Sequence, residues 1–377
     1  MKKLFILSLM INLSSLHAQI KIILKSVPET TPVNAVLYMA SSLNQWNPKD
    51  ESFIFHKNEN GNPEITIQNQ DKPIEFKITQ GSWDLSEADE KGNATENHKI
   101  NASTAPQVIE LVIKNWTSVQ QKQHTAASNV IVLDEKFNIP QLNTSRRVWV
   151  YLPPDYKSSG KKYPVIYMHD GQNLFDDATS FSGEWGIDET LNQLWNEHQF
   201  SAIVVGVDNG GDKRLDEYSP WKNEQYQKGG EGDLYLDFLA TTLKPYIDKH
   251  YRSLPQPKNT ALIGSSMGGL ISFYGGLKYP DIFGRIGVFS PAFWFVSDDL
   301  QTFITAHHKN LKQSKFYFLA GKQEDDTMVP QMENMEKLLF QSVPRNHVFS
   351  KIDEEGTHSE HFWKGEFANA VLWLYAE

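Results

Sequence analysis

The chain has 377 residues, 36 lysines and arginines against 46 aspartates and glutamates, and a formal net charge of −10. That balance, with no basic run, excludes a nucleic-acid surface, whose phosphates demand clustered cations. Cysteine is absent, which excludes disulfides, thiolate zinc centres, a cysteine nucleophile and a lipidated N-terminal cysteine. The length suits about two domains.

Taken from the N-terminus, residues 1–18 read as a secretory signal. Lys2 and Lys3 give the positive start, Leu4 to Leu13 the apolar stretch, and Leu16-His17-Ala18 a cleavage site before Gln19. The apolar stretch is too short to span a bilayer, and no later stretch reaches membrane-spanning length. The expectation is an exported protein, periplasmic or extracellular, because export without disulfides suits a bacterial envelope better than a eukaryotic route.

Residues 19–115 carry short apolar runs at Lys21–Leu24, Ala35–Met39, Ser52–His56, Glu64–Ile67, Ile74–Ile78 and Val108–Ile113, separated by Asn/Gly/Pro-rich turns. Short strands at this spacing, with no helical window, predict a small all-β sandwich. Ser42-Leu-Asn-Gln-Trp-Asn-Pro48, Phe76-Lys-Ile-Thr-Gln-Gly-Ser-Trp83 and Asn97 resemble the starch- and glycogen-binding modules. Those modules stack sugars on exposed tryptophans, so the resemblance implies Trp83 and Trp46 as candidate glycan contacts. Residues 116–129 are polar and aperiodic and are expected to form a linker.

From residue 130 to 377 strands and helices alternate. Strands are predicted at Val148–Leu152, Val165–Met168, Ala202–Val207, Ala261–Ile263, Ile286–Phe289, Phe316–Leu319 and Val348–Ile352. Helices are predicted at Glu189–His198, Asp233–His250, Gly268–Lys278, Pro330–Gln341 and Ser359–Tyr375. Near-continuous apolar strands between helices predict an α/β fold, a mostly parallel sheet flanked by helices.

One stretch carries the chemistry. Gly264-Ser-Ser-Met-Gly268 fits G-x-S-x-G between a strand and a helix, the context of a nucleophile elbow with Ser266 at its apex. Ser265 is the off-centre rival. Acyl transfer by serine also needs a base, an acid to orient it and donors for the oxyanion. In α/β hydrolases the base follows the last strand, which selects His358 with His361 as the alternative; His307, His308 and His347 are the other downstream histidines. The acid belongs after Phe316–Leu319, where Glu324, Asp325 and Asp326 all stand; Glu324, three residues past a glycine, is preferred. The oxyanion donors are the backbone N–H groups of Met267 and, after Asp170-Gly171, Gln172. No metal-ligand set accompanies these histidines.

Several blocks, in order, then make a second resemblance. They are Met168-His-Asp-Gly-Gln-Asn-Leu-Phe-Asp176, Asp208-Asn-Gly-Gly with Arg214 and Glu217-Tyr218, Gly264 to Gly269, Ser290-Pro-Ala-Phe-Trp294, Gly321-Lys-Gln-Glu324 and Gly356 to Trp363. Together they resemble the putative esterase family of α/β hydrolases, which includes esterase D, feruloyl and acetylxylan esterases and enterobactin esterases. The resemblance implies an α/β-hydrolase fold, ester hydrolysis without a cofactor, Ser266 as nucleophile and His358 as base. Trp185, Trp294 and Trp363 lie in or beside these blocks and are candidate pocket residues. The expected substrate is an acetyl or feruloyl ester on a polysaccharide. Siderophore ester hydrolysis, acyl transfer to a sugar and noncatalytic glycan binding are the competing readings.

Overall fold

The computed structural model describes residues 19–117, 123–181, 183–306 and 311–376. The expected signal sequence, most of the middle of the expected linker, His307 and His308 lie outside them. Two compact units are present, Met1–Gln121 and Lys122–Glu377.

In the first unit, Gln19–Ser26 is flanked by Pro63–Gln68 (antiparallel) and Gln107–Val112 (parallel) in a four-stranded sheet. Tyr38–Ser41, Ile74–Thr79 and His98–Ile100 form a second, antiparallel sheet. Alternate residues of both, Ile20, Ile22, Leu24, Ile65 and Ile67 from one and Met39, Ile74, Phe76, Ile78 and Ile100 from the other, share one core, which makes the pair a sandwich. Ser52–His56 departs from its expected strand. Asp50 accepts a hydrogen bond from the Ser52 N–H and starts a 3-10 turn at Glu51–Phe53. Trp116, placed in the linker by composition, belongs to this unit: it is buried, and its indole Nε1 donates to Thr31 at 2.7 Å.

The second unit is built on eight strands: β1 (Val130–Ile139), β2 (Thr144–Tyr151), β3 (Val165–Met168), β4 (Ile203–Val207), β5 (Thr260–Ser265), β6 (Arg285–Phe289), β7 (Lys315–Gly321) and β8 (Val348–Asp353). Their order across the sheet is β1-β2-β4-β3-β5-β6-β7-β8. The pairings β1–β2 and β2–β4 are antiparallel and all others parallel. The longer helices are α1 (Ile187–His198), α2 (232–250, with a π-helical turn at Leu239–Leu243), α3 (Met267–Lys278), α4 (Ser297–Ala306), α5 (Met328–Leu339) and α6 (Glu360–Tyr375).

Side-chain alternation divides the core in two. Val165, Tyr167, Leu262, Ile286, Phe316 and Phe318 face α2, α3, α4 and α5. Ile166, Met168, Ala261, Ile263, Phe289 and Leu319 face α1 and α6. Every residue of β3, β4 and β5 is buried, as a parallel sheet covered on both faces requires. Each such aliphatic side chain contributes about 1.5–3 kcal/mol on burial. The chain leaves β3 toward β4 on one side and β5 on the other, and open α/β sheets bind ligands beyond the carboxyl ends of strands at such a point.

Candidate active site

Ser266, between β5 and α3, has φ 56° and ψ −122°, a conformation that costs a non-glycine residue about 1–3 kcal/mol. Tertiary contacts hold it. Its N–H donates to the Phe289 carbonyl at 2.9 Å, and its own carbonyl accepts from Ala292 at 3.0 Å and Leu270 at 3.0 Å. Gly264 is needed by close approach: a Cβ there would lie 2.7 Å from the Gly268 backbone and from the His169 ring. Ser265 ends β5 buried and paired in register with Phe289, so the apex position is Ser266.

Downstream, β7 ends at Gly321 and its following turn delivers Glu324; β8 and its following turn deliver His358. Glu324 Oε2 accepts from His358 Nδ1 at 2.7 Å. Its other oxygen, Oε1, accepts from the Gly321 N–H at 2.6 Å and from the Ser290 hydroxyl at 2.7 Å. The carboxylate side chain is 1% exposed and the imidazole 41%. A carboxylate acceptor at Nδ1 fixes the tautomer with the proton there and leaves Nε2 as the basic ring nitrogen. Trp363, one turn into α6, completes the arrangement. Its indole Nε1 donates to Ser290 Oγ at 2.8 Å, and its ring stands edge-on to His358 with centroids 5.0 Å apart.

The rival acids separate by contact. Asp325 accepts from the N–H groups of Thr327 and Met328 and from the Thr327 hydroxyl, which spends its carboxylate on starting α5. Asp326 is exposed. His361 lies exposed within α6, and His347 stands at the opposite end of β8 from the turn that carries His358. Among upstream histidines His169 is fully used. Its nitrogens pair with the Tyr235 hydroxyl at 2.9 Å and Ser272 Oγ at 3.0 Å, and burial pushes its pKa down to about 3.

The loop after β3 lies against the elbow, since the position of a Cβ on Gly268 is 3.4 Å from Asp170 Oδ2. Asp170 adopts a left-handed conformation, φ 55°, and starts the 3-10 turn Gly171–Asn173 that carries Gln172. Its carboxylate accepts from Arg214 Nε and Nη2 at 2.7 and 2.9 Å and from Asn209 Nδ2 at 2.7 Å. Burial opposes its charge, and Arg214 more than offsets that, holding Asp170 below the usual carboxylate range. Glu360, the first residue of α6, is also buried; burial and the Asp170 charge raise its pKa. Sequence reasoning missed Ser290, Glu360 and His169; only their place in the matching blocks signalled them.

The three pocket candidates divide. Trp185 is 3% exposed and packs on Phe289, Phe367 and Trp363. It is core, not pocket wall, because its ring is enclosed between β6 and α6. Trp363 is buried too but touches the His358 imidazole. Trp294 is 42% exposed, against Tyr226 and Phe295. In the first unit, Trp46 and Trp83 are both half-buried, ring centroids 6.3 Å apart and planes inclined 38°.

A family model described as putative esterase matches residues 139–374. The chain belongs to the putative esterase family. Its activity is carboxylic ester hydrolysis. The esterase is 27% identical over 249 residues to the uncharacterized protein YbbA of Bacillus subtilis, covering 62% of this chain and 94% of that one. Among solved structures it resembles the enterobactin esterase FES of Shigella flexneri (TM-score 0.55, 17% identity, 90% of this chain and 88% of that one). It also resembles a ferulic acid esterase (TM-score 0.51, 18% identity, 65% of this chain and 96% of that one). At these identities the two structures establish the α/β-hydrolase fold.

Proposed function

We propose that the esterase is a serine hydrolase acting through Ser266, His358 and Glu324 by way of an acyl-enzyme. The observation that carries this reading is the 2.7 Å hydrogen bond between Glu324 and His358, formed across 34 residues at the sheet edge that also holds the strained Ser266. In the first step His358 Nε2 takes the Ser266 proton as Oγ bonds to the ester carbonyl carbon. The N–H groups of Met267 and Gln172 receive the oxyanion, each donor supplying about 2.7–4 kcal/mol by comparison with a measured oxyanion donor. The imidazolium, balanced by Glu324, returns its proton to the leaving alcohol. Water, deprotonated by the same imidazole, then releases the acid.

The substrate reading is an acyl ester on a polysaccharide, acetyl or feruloyl, hydrolysed outside the cytoplasm after export directed by residues 1–18. Two features support it. Trp46 and Trp83 offer neighbouring indole faces in the first unit, the side chains that stack on sugar rings. Around the elbow, Asp170 and Glu360 are carboxyls and the Arg214 guanidinium is committed to Asp170. With Asp170 balanced by Arg214 and Glu360 held toward its neutral form by burial, this flank is close to neutral, which suits a neutral glycan ester better than a polyanionic ferric siderophore. The siderophore reading keeps one observation in its favour, the likeness to FES across 90% of the chain.

The test is direct. Ser266→Ala should abolish p-nitrophenyl acetate turnover and fluorophosphonate labelling with an unchanged far-UV CD spectrum; labelled and active Ser266→Ala would sink the reading. A release panel of acetylated xylan, feruloylated arabinoxylan and a catecholate siderophore ester decides the substrate class. Turnover of the siderophore alone would overturn the glycan assignment.

A further inference from the structure

A second group of titratable side chains sits where the loop before α1 meets residues 123–129. Glu184, Asp188 and Glu189 each place an oxygen within 4.8 Å of the others. Gly186, at φ 58°, makes the fold-back that brings Glu184 over the first turn of α1. Two of the carboxylates already use one oxygen. Glu184 Oε2 accepts from the Thr125 hydroxyl at 2.8 Å, and Asp188 Oδ2 accepts from the Ala127 N–H at 2.7 Å. Their other oxygens, Glu184 Oε1 and Asp188 Oδ1, are buried without a hydrogen-bond partner. Asp188 is 0% exposed, so its unpaired oxygen has no route to water and carries the full desolvation cost.

Two basic side chains lie near the group. His124 pairs with Asp176 instead, at 2.7 Å. Lys364 approaches Gly186 and eases the ionisation of Glu184.

We propose that Glu184, Asp188 and Glu189 form a binding site for a divalent calcium ion. The donor set is all carboxylate oxygen, without imidazole or thiolate, which selects a hard cation. Calcium accepts six to eight oxygens in irregular geometry and completes its shell with water, whereas magnesium demands a near-ideal octahedron. Here the half-exposed side of the group, at Glu189, is open to that water. The ion would satisfy the two buried oxygens that lack donors. It would also hold in place the two carboxylates that accept from Thr125 and Ala127, and so fasten residues 123–129 to the start of α1. The site does not involve Ser266 or its chemistry, so it stands or falls apart from the esterase mechanism.

The experiment uses the full chain, stripped with EDTA and titrated with calcium chloride by calorimetry, with thermal unfolding followed in parallel. One saturable site and a rise in Tm on adding calcium are expected. Glu189→Gln, exposed and harmless to folding, should weaken binding by at least about tenfold through loss of a ligand charge. Asp188→Asn should abolish it, and Lys364→Met should tighten it by removing a competing cation. No saturable heat at millimolar calcium, or full binding by Glu189→Gln, overturns the site. So does a Tm that rises from pH 8 to pH 6 without responding to calcium, since the carboxyls would then share a proton instead.

Discussion

Glu324 illustrates how much of this site is held by hydrogen bonds behind the His358 imidazole. Its Oε1 takes two donors, and one of them, Ser290, is itself held by the Trp363 indole while that ring braces His358. A hydrogen bond to a charged group contributes about 1.5–3 kcal/mol. Ser290→Ala should therefore lower kcat by roughly ten- to a hundredfold at unchanged KM, as loss of an interaction that acts on the base and not on substrate binding. Trp363→Phe keeps the ring contact and removes the donor, and should give a smaller loss of the same kind. A rise in KM with kcat intact would show that these side chains bind substrate instead. His169 supplies a different residue-scale test. Its folded pKa is depressed to about 3 against an ordinary 6.5, so below pH 6.5 the unfolded chain gains a proton that the folded chain does not. Stability from this group is present above pH 6.5 and is lost as pH falls toward 3. Denaturant midpoints for His169→Gln should fall less steeply over that window than those of the parent. Ser266 and His358 were legible because a motif and a chain order mark them. Ser290 was not, because its value lies in a left-handed φ of 41° and two through-space bonds that no local pattern encodes.

Elements were legible where apolar content and length agreed. β3 occupies Val165–Met168 as its near-continuous apolar run predicted, and α3 starts one residue before its expected position. α4 escaped notice because Ser297–Ala306 buries only Leu300 and Ile304, too thin a stripe to register as a helical period. β1 escaped because its pairing with β2 shifts register twice, between Val132 and Asp134 and between Asp134 and Phe137, which scrambles alternation along an edge strand. The elbow depends on its glycines as an element. Gly264→Ala would press a methyl within 2.7 Å of the Gly268 backbone, which cannot rotate aside as a side chain can. The expected cost is about 1–3 kcal/mol, read as a lower denaturant midpoint, together with slower fluorophosphonate labelling. Equal labelling and stability would show that the β5–α3 turn has more room than its geometry implies.

For the molecule, the division into two units suggests a division of labour that one pair of variants can probe. Trp46→Ala and Trp83→Ala remove the inclined indoles of the sandwich and lie outside the hydrolase unit. Retention on a polysaccharide affinity gel should fall in both, while kcat/KM for a small soluble ester stays at the parent value. Equal retention would dismiss the sandwich as a glycan contact, and a loss on the small ester would show that these rings serve folding. Among the described residues no helix is long and apolar enough to cross a membrane.

By itself the sequence determined the class of fold and marked the Gly264–Gly268 turn between a strand and a helix, because those depend on hydrophobic period and on glycine and serine at fixed local spacing. Tertiary structure alone decided that Glu324 and not Asp325 turns toward His358, that Trp185 is enclosed while Trp294 is open, and that three carboxyls around Gly186 share one corner. Each of these follows from which strand ends lie side by side and what then remains to satisfy a buried charge. Distances of that kind, between residues remote in the chain, exist only after the sheet has formed.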